Sequence, residues 1–352
     1  MTVLRARVRD FAYRRVGGTA LILVYHRVVD LERDPQLLAV SPASFEAQMS
    51  ILAENCRVIS LDRLLAGLRR RIVPDGAVVV TFDDGYSDNL TNAEPILAAH
   101  GVPATVFVSS GYVEARREFW WDELERIVLG PGTLPATVEL RTSARDFSER
   151  LTGDLSYSPE QARDDSAWNV LAAAASPRQD LYRRLAAFMR PLPVADRETA
   201  LRQLRALARV DPAAGDPGHT PRPTHRQLTP EEVSTLDASP VVDVGAHSLN
   251  HTLLSGRTLR EQRDEIVGDR DALGVMCRRQ VRTFSYPYGG LDDYTGDTME
   301  IVRGAGFAGA CSNHLGVVKP WTDRFRLPRN TVRDWDASTF AAKVEGWFRE
   351  QA

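Results

Sequence analysis

The first third of the chain alternates short apolar runs with amphipathic stretches. Ala20 to Tyr25 (ALILVY), Val78 to Phe82 (VVVTF) and Ala104 to Val108 (ATVFV) are rich in β-branched residues and predict buried strands. Between them, Ser44 is placed to cap a helix running to about Glu54, and Asn92 to His100 reads as a second helix. Strand, helix, strand, helix predicts parallel β/α units. In such folds chemistry gathers at the C-terminal ends of the strands. His26 follows the first of these strands, and the pair Asp83 and Asp84 follows the second.

From Gly111 to Arg226 the pattern changes. FWWDELERIVLG (Phe119 to Gly130), an alanine-rich stretch around Ala167 to Ala175, and a Pro- and Gly-containing tract from Asp211 to Pro223 predict a mostly helical insertion over residues 113–226. Regular units resume at Leu228. Thr229, Pro230 and Glu232 fit an N-cap, a first-turn proline and a capping-box glutamate. Strands are then expected at Val241 to Val244, Val281 to Tyr286 and Phe307 to Cys311, and helices at Thr258 to Leu273 and Thr298 to Ala305. No internal repeat or low-complexity segment interrupts this order.

Composition narrows the class. The 352 residues are 43% hydrophobic and 26% charged, which are globular values. A net charge of -3 supplies no basic field, so nucleic acid is not an expected partner. Cys56, Cys277 and Cys311 are far apart and odd in number, which favours a reducing compartment over a disulfide framework. No apolar run approaches the roughly 18 residues of a membrane span, and Ala20 to Tyr25 is too short for a secretory h-region. A cytoplasmic protein is expected. Residues 1–17 form a separate basic segment, with five arginines and Leu4, Val8 and Phe11 at helical spacing. Docking of this helix on its own domain is the favoured reading, and contact with an anionic membrane surface is the alternative.

Three strand ends carry candidate chemistry. TFDDGYSDN places two carboxylates, Asp83 and Asp84, before a turn glycine, so that one can serve as a base while the other holds a cation. HSLNH, after the strand at Val241 to Val244, carries His247 and His251 four residues apart, read as one face of a helical turn. One Asp and two His leave coordination positions open, as catalytic metal sites do. FSYPYGG breaks into a Pro- and Gly-shaped loop able to present a backbone N–H inward.

These three segments, in this order, resemble the signature segments of the polysaccharide deacetylases, the carbohydrate esterase family 4 or NodB-homology group. The likeness covers about residues 18–112 and 227–345. It implies an α/β fold, a distorted (β/α)7 barrel, built from residues 18–112 and 227–352 with residues 113–226 inserted. It also implies hydrolysis of an N-acetyl group from an amino sugar in a glycan, oligosaccharide or glycan precursor. On that resemblance Asp83 is the general base, Asp84, His247 and His251 hold a divalent metal, most simply Zn²⁺ with Co²⁺, Ni²⁺ or Mn²⁺ as alternatives, and the Tyr288 N–H faces the oxyanion. Two departures are visible. Ser285 stands where the third segment often has an arginine, and the usual late Leu-x-His segment is missing. The branch with an early Tyr-His and a late Pro-Arg segment supplies substitutes: His26 in VYHRV as the general acid and Arg329 in LPRNTV as the partner of Asp83. His314 is a weaker acid candidate, and His100, His219 and His225 read as surface or loop residues.

Tyr286, Pro287, Trp120 and Trp121 are candidate substrate contacts, although packing of the insertion is the favoured role for the two tryptophans. Two other function classes stand beside the deacetylase: a hydrolase of a cyclic or other non-sugar amide, and a non-catalytic glycan-binding barrel.

Overall fold

A computed structural model describes residues 18–115, 117–208 and 221–350. The basic segment 1–17 and His219 lie outside the described residues. The chain divides into two compact units. Of the described residues, the first takes 18–30, 39–114 and 228–350; the second takes Leu31–Leu38 and those between 115 and 227. Leu31–Leu38, read from sequence as part of the barrel, thus belongs with the second unit.

The first unit is built on strands β1 (Ala20–Tyr25), β2 (Ala77–Phe82), β3 (Ala104–Val108), β4 (Val242–Ala246), β5 (Thr283–Ser285), β6 (Gly309–Cys311) and β7 (Asn330–Thr331). They follow one path in the order β6, β5, β4, β3, β2, β1, β7, and every pairing along it is parallel. A two-residue strand, Arg57–Val58, adds to the start of β2. The segment leading into β7 runs parallel beside β6: Leu327 N–H donates to Ala310 O at 3.0 Å and Ser312 N–H to Leu327 O at 2.9 Å. Since β7 pairs with β1, this segment carries the sheet round towards closure.

Strand parity explains the unbroken apolar runs. Leu21, Leu23, Tyr25, Val78, Val80 and Phe82 pack outward under the helices, while Ala20, Ile22, Ala77, Val79, Phe107, Cys311 and Leu327 face a second, interior cluster. Both faces of a parallel sheet are covered, so neither alternates with polar residues. Helix α1 (Pro42–Asn55) packs among the outward set. Helix α2 (Leu61–Leu68) places Leu61, Leu64, Leu65 and Leu68 in the interior cluster, a stripe at helical spacing. It fills the barrel near the strands' starts. A Cβ on Gly309 would lie 2.7 Å from the Arg324 carbonyl oxygen and 2.3 Å from Leu65 Cδ2, so glycine lets β6 lie close to both.

Several boundaries move from their expected places. The cap of α1 is Ser41, not Ser44: Ser41 Oγ accepts the Ser44 N–H at 3.3 Å, and Pro42 occupies the first helical position. The expected helix from Asn92 starts with a wide turn at Asn89–Ala93 and continues as Glu94–His100 to a left-handed Gly101. The capping box at Thr229 and Glu232 forms as expected, opening Pro230–Asp237.

Among the described residues the second unit has four helices of six residues or more, Trp120–Leu129, Pro159–Asp164, Pro177–Met189 and Val194–Leu207. It also has antiparallel pairs that the helical reading missed, Thr137–Leu140 with Phe147–Arg150 and Gly132–Thr133 with Ser156–Tyr157. Leu31–Leu38 is tied into it by Arg33 Nη1 to Glu125 Oε1 at 2.7 Å and by Gln36 Nε2 to the Tyr182 hydroxyl at 2.8 Å. His225, expected at the surface, is buried here beside Thr224.

Candidate active site

The interior parity of β2 runs 77, 79, 81 and then 83, so Asp83 projects inward where the strand ends. Its N–H still donates to Tyr25 O at 3.0 Å, continuing the pairing with β1. The next residue should point away. Instead Asp84 and Gly85 both take left-handed backbone conformations, with φ of 79° and 81°, which swings the Asp84 carboxylate back towards the site. Gly85 is required at this turn, because a Cβ would stand 2.9 Å from Val108 Cγ1.

Arg329, fully buried, faces Asp83 as a fork: Nη1 to Oδ1 at 2.8 Å and Nη2 to Oδ2 at 2.5 Å. Its Nε donates to Ser312 O at 2.8 Å, Nη2 also to Ser285 Oγ at 2.8 Å, and Nη1 to Thr81 Oγ1 at 3.3 Å. Ser285 Oγ in turn donates to Asp83 Oδ2 at 3.3 Å. Burial pushes the Asp83 carboxyl up, but the Arg329 guanidinium, aided by His247 and His26, outweighs it and holds the group below the ordinary carboxylate range.

Asp84, His247 and His251 bring one ligand atom each within 4.8 Å of one another, all three side chains being buried. Asp84 Oδ1 lies 3.5 Å from His247 Nε2 and 3.3 Å from His251 Nε2. No hydrogen-bond donor serves that oxygen although it is buried. His247 Nδ1 lies 2.8 Å from Ser285 O, which orients the ring so that Nε2 turns to the carboxylates. An orphaned carboxylate oxygen beside two convergent imidazole nitrogens is a donor set that fits a divalent cation with positions left open. Burial raises the Asp84 carboxyl and the two histidines more than reverse that, leaving it well below its usual range.

The spacing of the two histidines has a different origin from the helical turn expected. HSLNH is a loop, with Ser248 at φ 62° and His251 at φ 48°. Among the described residues, seven that are not glycine have left-handed backbone, and four of them, Asp84, Ser248, His251 and Tyr288, belong to these segments. Strain of this kind is held only where surrounding structure over-determines it.

Tyr288 is the centre of a γ-turn, φ 62°, with Gly289 N–H bonded to Pro287 O at 2.7 Å, and its ring meets His251 edge-on at 4.6 Å. Pro287 is buried beneath that turn. His26 is half-buried where β1 ends, facing the site closely enough that Asp84 and Asp83 favour its charged form; burial and the Arg329 charge prevail and keep its pKa below the usual value. His314 Nδ1 is tied to Ser312 Oγ at 2.7 Å, and burial lowers its pKa as well.

Three expected substrate contacts do not hold as such. Tyr286 has the opposite parity to Ser285: it is fully buried in the outer core, stacked on Tyr294 at 4.0 Å, with its hydroxyl bonded to Phe325 O at 2.9 Å. Trp120 and Trp121 are 4% and 6% exposed inside the second unit, where Trp121 stacks on Phe119 at 4.4 Å, so neither offers an open ring to a sugar. Residues that the sequence reading missed include Thr81, Ser312 and the Ser285 hydroxyl around Arg329, and Asp269, whose Oδ2 accepts the His247 N–H at 2.7 Å. For Ser285 a signal existed, since parity puts it on the face of Asp83; for Asp269 none did.

The family model described as polysaccharide deacetylase matches residues 70–133 and 214–310. Over those residues the chain resembles the polysaccharide deacetylases. The Asp83, HSLNH and FSYPYGG segments fall inside the matched residues, and His26 and Arg329 fall outside. A Bacillus subtilis (strain 168) protein, YxkH, assigned to the polysaccharide deacetylases, is 33% identical over 89 residues, 25% of this chain and 30% of that protein. The chain therefore matches under a third of that relative's length. Among solved structures, the Streptococcus pyogenes deacetylase PplD in complex with acetate is similar with a TM-score of 0.57 at 14% identity, covering 94% of this chain and 99% of that one. IcaB from Ammonifex degensii is similar at 0.53 and 18%, covering 94% and 98%. At these identities the likeness is one of fold.

Proposed function

We propose that this protein is a metal-dependent hydrolase that removes the N-acetyl group from an amino sugar in a glycan, oligosaccharide or glycan precursor. The observation that carries the reading is the pairing of roles at one strand end: Asp83 bound to Arg329, and Asp84 beside it facing His247 and His251 with an oxygen left over. The partial match to the polysaccharide deacetylase model and the likeness of fold support it at the level of glycan N-deacetylation.

Asp84, His247 and His251 would hold the cation, Zn²⁺ by donor type. Such an ion, when bound, polarises the acyl oxygen and makes water acidic enough to act near neutral pH. The chain's own groups do the rest. Asp83, kept ionised by Arg329, accepts the proton of the attacking water as its oxygen bonds to the acyl carbon. A low-pKa carboxylate is a weak base, adequate only for water whose own pKa is lowered. The Tyr288 N–H, presented by its strained turn, donates to the oxygen on which charge develops. His26 delivers a proton to the departing nitrogen, so that the C–N bond breaks with acetate and a sugar amine as products. Burial works against its charged form, and the facing carboxylates Asp84 and Asp83 favour the proton that it must carry.

The decisive experiment is acetate release from N-acetylglucosamine oligomers and from a nucleotide-linked N-acetylhexosamine, with metal-loaded protein, chelated protein and Asp83→Asn side by side. Release by the loaded parent alone is the expected result. Metal-loaded parent that frees no acetate from any of these sugars overturns the assignment.

A further inference from the structure

We propose that Glu265 and Asp269, one turn apart on the helix Leu259–Cys277, are positioning residues that clamp the HSLNH loop into its cation-binding geometry. This rests on the metal-dependent reading above and goes beyond it in naming what sets the site's affinity.

The loop needs an external hold. Ser248 and His251 both carry left-handed backbone, and neither is glycine. Such backbone persists only where surrounding contacts over-determine it. Two walls grip the loop. On one side lies the exit of β3: Val108 O accepts the His247 N–H at 3.1 Å, Ser109 Oγ donates to His247 O at 3.1 Å, and Gly111 N–H donates to Leu249 O at 2.8 Å. Gly111 fits only as glycine, since a Cβ would stand 2.5 Å from Leu249 O.

The helix forms the other wall. Asp269 Oδ2 accepts the His247 N–H at 2.7 Å, while Oδ1 accepts the Ser110 N–H at 2.8 Å and the Ser110 hydroxyl at 2.5 Å. One carboxylate thus ties the exits of β3 and β4 together. One turn earlier, Glu265 O accepts the Leu249 N–H at 3.0 Å, Oε2 the Asn250 N–H at 2.8 Å, and Oε1 an Asn250 Nδ2 hydrogen at 2.9 Å. The first ligand and the two residues before the second are therefore held through main-chain donors. Asp269 is fully buried, and among the described residues no Lys or Arg pairs with it. An unpaired buried carboxylate is costly for packing alone; its three donors come from two strand ends that feed the site. Asparagine at 269 would turn an N–H towards either the His247 N–H or the Ser110 N–H, and donor would face donor.

The test is Co²⁺ affinity by chelator competition, together with the visible spectrum of the Co²⁺-loaded protein, at a temperature where every variant is folded. Asp269→Asn should weaken Co²⁺ binding about 10- to 100-fold, the range seen when partners of metal ligands are removed, and should alter the spectrum. Glu265→Gln should weaken it less, because one carboxamide oxygen still accepts. Leu273→Ala, a cavity on the same helix in the outer core, should lower the melting temperature and leave affinity and spectrum unchanged. Parent-like Co²⁺ binding by both acid variants overturns the clamp. So does an equal loss in Leu273→Ala, which would make helix stability the cause. If Asp269→Asn does not fold, Glu265→Gln against Leu273→Ala decides. A parent that binds no divalent cation overturns the metal reading itself and the clamp with it.

Discussion

Two clusters of buried charge, one in each unit, differ in what they leave unused. In the second unit Arg222 donates to Glu118 through Nε and Nη2 at 3.2 and 3.1 Å and to Glu125 through Nη1 at 2.7 Å, while Arg33 takes the other Glu125 oxygen at 2.7 Å. Every carboxylate oxygen of Glu118 and Glu125 has a donor. In the first unit the Asp83 and Arg329 fork is as complete, yet beside it Asp84 Oδ1 is buried with no donor and two imidazole nitrogens within 3.5 Å. Buried charge by itself therefore does not mark a site. Unspent coordination capacity next to it does.

The comparison breaks most sharply with His247→Ala. Metal and turnover should vanish together, with folding nearly unchanged in the chelated protein, whereas Arg222→Met should leave both in place and lower stability. Metal content by elemental analysis, with acetate release, separates the outcomes; an Arg222→Met protein that loses its metal would void the contrast. Next in size, Asp83→Asn should keep metal and lose about 10²- to 10⁴-fold in turnover, the usual contribution of a general base. Loss of metal in that variant would mean that Asp83, not Asp84, is the ligand.

Much of this was legible in the chain because parallel strands buried on both faces read as continuous apolar runs. Ala20–Tyr25 and Ala104–Val108 form over the residues expected, and Asp83 and Asp84 stand at a strand end. The histidine pair was found for the wrong reason. Their convergence comes from left-handed backbone at Ser248 and His251, a conformation that spacing does not encode. Tyr286 was misplaced by ignoring parity, since its neighbour Ser285 faces Asp83. The Asp269 clamp left no trace, because it depends on a helix that meets the loop 22 residues away. The Asp83 and Arg329 contact spans 246 residues, and only likeness to known segments suggested it.

The two forks also differ in exposure. The Arg329 side chain is 0% exposed and that of Arg222 is 28% exposed. Arg329→Met should therefore cost about 3 to 5 kcal/mol by stranding a buried carboxylate, and Arg222→Met less, as read from denaturant midpoints. Acid titration sharpens the point. With its folded pKa held below the unfolded value, Asp83 contributes stability that is present above about pH 4 and lost as pH falls through the depressed folded value. In Arg329→Met that contribution should disappear. An unchanged acid-unfolding profile would show that Arg329 does not hold Asp83 ionised.

The smallest expected effect tests whether the site's hydrogen bonds divide as cleanly as its roles. Ser285 serves both halves: its hydroxyl accepts from Arg329 and donates to Asp83, while its backbone carbonyl receives His247 Nδ1. Ser285→Ala deletes only the hydroxyl. Arg329 Nη2 keeps Asp83 Oδ2, so the loss should be near 1 kcal/mol, the net worth of one such bond, with turnover reduced less than tenfold. Metal affinity should not move, since the carbonyl stays in place. A variant with parental turnover but weakened metal binding would mean that the side chain holds the histidine rather than the base, and that Asp83 and Asp84 share one network instead of two.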